Sequence, residues 1–341
     1  MPKKQNIGSY MKKLVIIASI VCIFTLIMVV CLKTPQKKAE NEYIVSIVNP
    51  HFPTYDFTRA ICKNIPTIKN ELLIKPGSEV HSFDPSPANI RSLEKADLCF
   101  IIGGESDFWV KNILSSLDAA SLKVISLFEE FHLEAHTHHH DSSESHTDFE
   151  IDEHLWTSLS YAQEIVKLLS VEIQNTYSNN AKKLGISQDI LQETLVTLKQ
   201  NTAIYIGQIQ ELALLFEQII KTSEKPLIVM GDRFPFTHFA KEFGLEYQAA
   251  FEGCSSAVET TPARIATLIT TVKENKLPSV FHIEMSNKKI ASIIAESCNV
   301  PILELHSLQN VTKAEFDNGE TYISLMKKNA TNLKKGLRYA Q

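Results

Sequence analysis

The sequence lacks the short motifs that mark common zinc knuckles and zinc hydrolases. It has no Cys-x-x-Cys pair among its six cysteines and no His-Glu-x-x-His segment. This excludes a thiolate knuckle and gives no support to a helix-borne hydrolase site. The sequence also lacks a basic excess, since its net charge of −5 offers no electrostatic footprint for nucleic acid. At 341 residues, the chain is nevertheless long enough for two domains with their own cores.

A long apolar run occupies the amino-terminal region. Residues 14–32 carry no charged side chain, and four lysines precede them. At about 1.5 Å per residue, the run is just long enough to span a hydrocarbon core of about 30 Å. The lysine flank predicts a cytoplasmic amino terminus and an extracytoplasmic bulk. Two alternatives stay open: an uncleaved membrane anchor, or a lipoprotein signal ending at Cys31, before which Val30 is larger than expected.

The remaining cysteines fit an exported protein without deciding the matter. Cys99 lies in an apolar run and is expected in the core. Cys254 and Cys298 lie in the same half of the chain. Outside the cell these two could form a disulfide, but sequence spacing alone does not show that they pair.

From residue 43 onward, short apolar runs alternate with amphipathic stretches, which implies parallel sheets covered by helices. Residues 188–222 show helical periodicity over far more than an ordinary globular helix. We therefore predict an α/β fold of two lobes, each with a parallel sheet flanked by helices, joined by a long rigid linker helix. The predicted strands are 43–48, 71–75, 98–102, 123–127, 226–230, 246–251, 279–283 and 301–305.

The same reading predicts the organisation of the chain into four parts. They are an amino-terminal membrane segment with a polar spacer (1–42), a first α/β lobe (43–187), the linker helix (188–222) and a second α/β lobe (223–341). In doubly wound folds, ligands bind at the carboxyl ends of the strands. We therefore expect the binding site in the loops that follow the strands.

A histidine tract interrupts the first lobe. Six of the fifteen residues 132–146 are histidine: His132, His136, His138, His139, His140 and His146. Acidic residues lie among them, and large apolar side chains that could build a core are almost absent. Neutral imidazole binds borderline transition metals at ordinary pH. The tract therefore predicts an auxiliary loop that gathers metal ions, although it does not tell an enzyme from a store or a carrier.

Four other candidate ligands lie in loops that are expected just after strands. His81 and His154 belong to the first lobe, and His306 and Asp232 to the second. Together they predict one divalent ion, held tetrahedrally in the cleft between the lobes. Glu284, at the end of a strand, competes with Asp232 for the fourth position. Asp232 has other uses as well, since it can pair with the neighbouring arginine or cap the next helix.

At these residues the chain resembles a known family. The segment from His81 to Pro87, His-Ser-Phe-Asp-Pro-Ser-Pro, is similar to the His-x-Tyr-Glu-Pro-Thr-Pro signature of zinc/manganese-type solute-binding proteins of bacterial ABC transporters. Asp152-Glu153-His154-Leu155-Trp156 is similar to that family's Asp-Pro-His-x-Trp block. An acid- and histidine-rich loop before this block is typical of the zinc-uptake branch. The resemblance covers residues 43–337.

The resemblance implies metal ligands and also shows departures. The two histidines, His81 and His154, match the first and second ligands of the family. The family's third histidine is replaced, since the matching stretch holds Asp232, and its late fourth ligand falls at or near His306. The implied set is His81, His154, His306 and one carboxylate, with Asp232 preferred over Glu284. Three imidazoles and a carboxylate suit Zn²⁺ better than Mn²⁺, which prefers more oxygen ligands.

The resemblance implies a function of capture rather than catalysis. We expect an extracytoplasmic zinc-binding component of an ABC metal importer, attached to the cell membrane by an anchor or as a lipoprotein. Its partners are the zinc ion and an ABC permease in the cytoplasmic membrane, with no nucleic acid, and the protein is expected to be a monomer. The alternatives are a zinc-dependent hydrolase, with Glu153 or Glu284 as general base beside an open metal position, and a surface adhesin that stores zinc on the histidine tract.

Overall fold

A computed structural model describes residues 43–80, 83–115, 121–133, 152–251 and 260–337. From Tyr43 onward the chain forms one compact unit. The predicted membrane segment 14–32, His81, Cys254 and every histidine of the tract except His132 lie outside the described residues. No helix within the described ranges has both the length and the hydrophobicity needed to cross a membrane.

The first lobe contains a four-stranded parallel sheet with the strand order β2-β1-β3-β4. Its central strand β3 is Leu-Cys-Phe-Ile and is buried along its whole length, as expected for a sheet covered on both faces. The elements are β1 (Val45–Asn49), α1 (Phe52–Ile61), β2 (Ile68–Leu72), α2 (Pro87–Glu94), β3 (Leu98–Ile101), a 3₁₀ turn (Glu105–Asp107), α3 (Phe108–Leu114), β4 (Lys123–Ser126) and α4 (Leu127–Glu130).

One strand of this sheet was predicted in the wrong place. The apolar run at 71–75 predicts the second strand there, but β2 occupies Ile68–Leu72. β2 is an edge strand, paired only with β1, and its middle residues are half-buried and polar. Leu73 and Ile74 are buried after the strand ends. The apolar run therefore marks the loop that packs beneath the sheet edge rather than the strand itself.

Two long helices follow the first lobe. A 3₁₀ turn (Leu155–Thr157) leads into α5 (Leu159–Lys183), and α6 (Gln188–Lys221) has 34 residues, which gives a length of about 50 Å. Ser158 and Ser187 cap their amino termini by accepting a backbone hydrogen bond, the usual role of serine there. The two helices pack against each other, and α6 also contacts α1 of the first lobe.

The second lobe repeats the topology of the first. Its parallel strands have the order β6-β5-β7-β8, and the late helix α11 packs on α6, so the predicted two-lobed α/β fold with a long joining helix is confirmed. The elements are β5 (Leu227–Met230), α7 (Thr237–Phe243), β6 (Glu246–Ala249), α8 (Pro262–Glu274), β7 (Val280–His282), α9 (Lys289–Cys298), β8 (Ile302–Glu304), α10 (Lys313–Asp317) and α11 (Tyr322–Gly336).

The carboxyl-terminal region differs from its prediction. Helical periodicity predicts one helix over 313–337, whereas the chain forms α10 and α11 with a break between them. Gly319 has a φ of +73°, a backbone conformation that ends a helix. Thr321 then caps α11 by accepting the Ser324 amide. Periodicity continues across this break because both helices turn an apolar face to the same core.

The largest apolar cluster runs through both lobes. It contains Ile47 of the first sheet, Trp156, Phe216 of the linker helix, Met230 of the second sheet and Tyr322 of α11. Each lobe also has a smaller cluster on the other face of its sheet. The lobes therefore share one core through α5, α6 and α11. Cys99 is buried as predicted, and Cys298 is a free, half-buried thiol.

Candidate metal site

A cleft of about 730 Å³ lies between loops of the two lobes. The first lobe contributes the segment that leads directly to His81, and the second lobe contributes the loops that follow β5, β7 and β8. The charged and amide side chains that face the cleft include Glu79, Asp232, Arg233, Glu284, Asn287, Lys289, Gln309 and Asn310. The cleft thus lies at the carboxyl ends of the second-lobe strands, the edge at which ligands bind in doubly wound folds.

Asp232 reaches this cleft from the turn after β5. Its Oδ1 accepts a hydrogen bond from the Arg233 amide at 3.0 Å, and its Oδ2 is buried and accepts no hydrogen bond within the part of the chain that is described. Gly231 allows the turn to lie against α9, because a Cβ there would come within 2.4 Å of Ala291 Cα. The turn is therefore fixed, and one carboxylate oxygen of Asp232 has unused bonding capacity.

Glu284 follows β7 and is almost completely buried. Its Oε2 accepts a hydrogen bond from the Ser307 amide at 2.6 Å, and its Oε1 accepts one from the Ser307 hydroxyl. Two donors from one residue hold the carboxylate in a single orientation at the cleft wall. From this place at the cleft wall, the Glu284 carboxylate can contact a cation in the cleft.

His306 is buried behind the cleft lining. The Leu308 amide donates to its Nδ1 at 2.9 Å, and its Nε2 lies 3.6 Å from Glu315 Oε1. Its Nδ1 is also 3.8 Å from Glu284 Oε2. Burial lowers the pKa of His306, but Glu284 and Glu315 outweigh burial and raise that pKa above its ordinary value. The His306 ring in turn lowers the pKa of Glu315 to about 2.

His154 is oriented by a carboxylate. Its Nδ1 donates to Asp152 Oδ1 at 2.6 Å. Burial raises the pKa of Asp152, but the His154 ring outweighs burial and lowers that pKa to about 2. A carboxylate on one ring nitrogen is the usual arrangement of a metal-binding histidine, because it fixes the ring and leaves the other nitrogen for the ion. Any metal bond of the His154 ring would therefore be made through Nε2.

The Nε2 of His154 points at another side chain, Gln309. It lies 3.3 Å from Gln309 Oε1, and only 2% of the His154 surface is exposed. Gln309 Nε2 donates to Glu153 Oε1 at 3.1 Å. Glu153 Oε2 accepts hydrogen bonds from the amide and the hydroxyl of Ser106, at 3.2 and 2.9 Å. Both oxygens of Glu153 are thus engaged in holding the first lobe and Gln309.

A loop of the second lobe docks on the first, and we call residues 307–311 the bridging loop. Trp156 Nε1 donates to Ser307 O at 2.8 Å. Asn310 Nδ2 donates to the carbonyls of Lys75 and Ser78, at 3.0 and 2.9 Å. These bonds fix Trp156, two residues after His154, and the first-lobe segment from Lys75 to Ser78. The bridging loop therefore holds described first-lobe segments from the other side of the cleft.

The structure brings some of the predicted ligands together and leaves others apart. Asp232 and Glu284 line one cleft, His154 faces it from behind Gln309, and His306 lies behind Glu284. His81 falls outside the description, directly after Val80 at the cleft wall. Within the described residues, no group of three or more His, Cys, Asp or Glu side chains converges to hold a metal. The ligand set therefore stays a prediction.

The sequence reading did not assign a role to Gln309 or Asn310. No sequence motif marks either amide. Their contacts depend on the bridging loop lying against the first lobe. The only sequence signal was their position in the loop after the last strand, beside His306. His132, the one described histidine of the tract, is exposed, as a metal-gathering residue would need to be.

Comparison with known proteins agrees with this architecture. The sequence profile of ZnuA, zinc-uptake complex component A periplasmic, matches residues 47–336. The zinc-binding lipoprotein AdcA of Streptococcus pneumoniae is 27% identical over 328 residues, which cover 95% of this chain and 61% of that protein. The high-affinity zinc uptake system protein ZnuA of Bacillus subtilis is 27% identical over 299 residues, covering 85% of this chain and 87% of that one.

Solved structures show the same fold. The Zn(II)-bound ZnuA-like domain of Streptococcus pneumoniae AdcA has a TM-score of 0.65 at 25% identity, covering 86% of this chain and 98% of that one. The metal-dependent lipoprotein YcdH from Bacillus subtilis has a TM-score of 0.68 at 25% identity and similar coverage, 86% and 99%. The chain spans about 61% of the length of the AdcA relatives it matches. Because the profile covers nearly every residue from the first strand to the last helix, this chain belongs to the ZnuA family of zinc-uptake component A proteins.

Proposed function

We propose that this chain is the extracytoplasmic zinc-binding component of an ABC metal importer. The observation that carries the proposal is the orientation of His154, whose Nδ1 is held by Asp152 so that Nε2 faces the interlobe cleft. The family and the zinc-binding names of its relatives support zinc as the cargo. On this proposal, the cleft captures one Zn²⁺ and the loaded protein delivers it to a permease in the cytoplasmic membrane.

The proposed ligands come from both lobes. His81 and His154 supply imidazole nitrogens, and Asp232 and Glu284 supply carboxylate oxygens from the cleft wall. His306, also predicted as a ligand, would on this geometry act through Glu284, since it lies 3.8 Å from that carboxylate and behind the lining. A set of two nitrogens and two carboxylates is within the ordinary zinc repertoire. Zn²⁺ remains preferred over Mn²⁺, which needs more oxygen ligands.

Capture rather than hydrolysis fits the polar groups beside the site. A zinc hydrolase needs a general base that can take a proton from metal-bound water. Both oxygens of Glu153 bind Ser106 and Gln309, and both oxygens of Glu284 bind Ser307. Glu153 thus has a structural role and Glu284 is a proposed zinc ligand, which supports capture over hydrolysis.

The cellular setting is proposed from the amino-terminal sequence and from the relatives. The apolar residues 14–32 with their lysine flank, and the lipoprotein name of the AdcA relative, support a protein held at the outer side of the cell membrane. Attachment occurs by an uncleaved anchor or through a lipidated Cys31. On this proposal the protein acts as a monomer, with the permease as its partner.

Calorimetric titration of the purified chain with zinc tests the proposal. We expect one tight ion per chain, and we expect His154→Ala and Glu284→Ala each to weaken it by at least tenfold. His238→Gln is the matched control: its ring is half-buried and bonds only the Asp152 carbonyl among the described contacts, and glutamine can donate the same hydrogen bond. If His306→Ala weakens binding as much as Glu284→Ala while the zinc-free chain keeps its stability, His306 is a direct ligand. Tight binding that survives His154→Ala would contradict the site.

A further inference from the structure

Gln309 separates His154 from the cleft. The Gln309 side chain lines the cleft, whereas the ring of His154 is almost completely buried. Gln309 Oε1 lies 3.3 Å from His154 Nε2 and covers that ring nitrogen. An ion that enters the cleft therefore meets the carboxamide of Gln309 before it meets the imidazole.

A zinc ion cannot bind His154 Nε2 while Gln309 Oε1 stays in this position. Zinc lies about 2.0–2.1 Å from an imidazole nitrogen and about 2.0–2.2 Å from an oxygen ligand. An ion at that distance from Nε2, on the line toward Oε1, would be nearer to Oε1 than a zinc–oxygen bond allows. The carboxamide must therefore withdraw before His154 can bind zinc.

Several contacts hold Gln309 in this place. Gln309 Nε2 donates to the Glu153 carboxylate at 3.1 Å, and Glu153 is fixed in turn by Ser106. Gly104 makes room for Glu153, because a Cβ there would come within 2.3 Å of Glu153 Oε2. The backbone of Gln309 is tied to the first lobe, since its carbonyl accepts the Phe52 amide at 3.4 Å. A rotation of the side chain, rather than a movement of the loop, is thus the route that frees His154.

We propose that Gln309 is a latch, a second-lobe side chain that covers the ligand nitrogen of His154 and must rotate away for zinc to bind. This inference rests on the proposed function and adds a positioning residue to it. The latch also ties the lobes together, because the same carboxamide bonds Glu153 of the first lobe. Zinc entry is therefore coupled to the release of an interlobe hydrogen bond.

The latch lowers zinc affinity by the free energy needed to open it. Opening it breaks the hydrogen bond from Gln309 Nε2 to Glu153, so removing the carboxamide should tighten zinc binding up to about tenfold. The increase in zinc affinity should come from faster association, because the latch is already open in the zinc-bound protein. We therefore expect faster association and unchanged dissociation.

The test uses the purified chain with Gln309→Met, which keeps the length and volume of the side chain but removes the carboxamide. Gln309→Ala is the second variant, and Gln248→Met is the matched control, since that glutamine contacts Thr271 in the second lobe. Stopped-flow mixing with zinc gives the association rate, and competition with a chromophoric chelator gives the affinity. Nitrogen-15 NMR of zinc-free protein should show a shift of the His154 Nε2 resonance in both Gln309 variants and not in the control.

The outcomes separate the latch from the function on which it rests. Faster association with unchanged dissociation in both Gln309 variants supports the latch. Weaker zinc binding with faster dissociation shows that Gln309 becomes a zinc ligand and overturns it. Unchanged rates, or a His154 resonance that does not move, also overturn it while leaving the proposed function intact. Failure of the wild-type chain to bind zinc overturns both.

Discussion

At the scale of single residues, the pair of Asp152 and His154 shows how the ring of one proposed metal ligand is oriented. The carboxylate fixes both the orientation of the ring and the proton on Nδ1. Asp152 Oδ2 also accepts the Thr237 amide at 3.2 Å, across the lobe boundary. Removing the carboxylate should therefore loosen the ring without removing a ligand.

We predict that Asp152→Asn weakens zinc binding by roughly 10–100-fold, the usual effect of losing such a carboxylate partner, while one ion per chain still binds. Chelator competition measures the affinity and calorimetry the stoichiometry. Asp189→Asn, at an exposed position in the first turn of α6, is the control and should change neither. An unaltered affinity in Asp152→Asn would show that His154 is not a ligand.

Asp152 should also make the stability of the chain depend on acid. Its pKa is lowered from 3.8 to about 2 in the folded protein, so its contribution is fully present above about pH 4 and is lost as the pH falls toward 2. The shift corresponds to about 2 kcal/mol. Urea unfolding of zinc-free wild-type and Asp152→Asn protein between pH 2 and 6 should show two stability curves that converge in acid. Parallel curves would contradict this assignment.

At the scale of secondary-structure elements, one buried carboxylate joins three helices. Asp56 of α1 accepts hydrogen bonds at its Oδ2 from the Tyr322 amide, the first residue of α11, at 2.8 Å and from Tyr205 Oη of α6 at 3.0 Å. The acid sits at the amino terminus of α11, where negative charge is favourable. The junction holds an element of each lobe to the linker helix.

We predict that Tyr205→Phe lowers the free energy of unfolding by about 1 kcal/mol and Asp56→Ala by about 3 kcal/mol. The first change removes one hydrogen bond, whereas the second also leaves a buried donor on Tyr205 and on the α11 terminus without a partner. Chemical denaturation measures both, and Tyr43→Phe, at an exposed ring, serves as the control. Equal effects of the two variants would contradict a shared junction.

The histidine tract is the element whose role the sequence defines most directly. Deleting residues 134–146 should remove weakly bound zinc ions and leave the tight ion, because the proposed cleft ligands lie elsewhere. Calorimetric titration of the deletion and the full chain distinguishes the two classes of site. Loss of the tight ion on deletion would place the site in the tract instead.

The sequence predicts the elements well where the pattern is local and poorly where it is not. The strand predicted at 98–102 is observed at Leu98–Ile101, and the linker helix predicted at 188–222 is observed at Gln188–Lys221. Both could be predicted because the apolar pattern of a buried strand or an amphipathic helix lies in neighbouring residues. The edge strand β2 was predicted in the wrong place because its polar middle residues show no apolar alternation. Gln309 could not be predicted as a partner of His154, since the residues are 155 positions apart.

At the scale of the whole molecule, the shared core makes the two lobes one cooperative unit. The cluster that contains Ile47, Phe216 and Met230 crosses from one sheet to the other. Opening the lobes as rigid bodies would expose this core, so zinc capture should involve the cleft loops rather than a large hinge movement. The polar groups that tie the bridging loop to the first lobe limit such a movement further.

We therefore predict a single calorimetric unfolding transition, which zinc shifts upward as a whole. At about 1,000 times the dissociation constant, free zinc should add about 4 kcal/mol of stability. The gain should fade below about pH 6, since histidine must be neutral to bind the ion. Differential scanning calorimetry with and without zinc tests this, and two separate transitions of which zinc moves only one would contradict it.

The bridging loop sets the order in which a newly made chain can be completed. The Trp156 indole and the carbonyls of Lys75 and Ser78 bond Ser307 and Asn310, which are translated within the last tenth or so of the chain. The first lobe therefore cannot form these hydrogen bonds until the carboxyl-terminal residues have been synthesised. A nascent chain with this arrangement cannot complete its first lobe until its final helices have been synthesised.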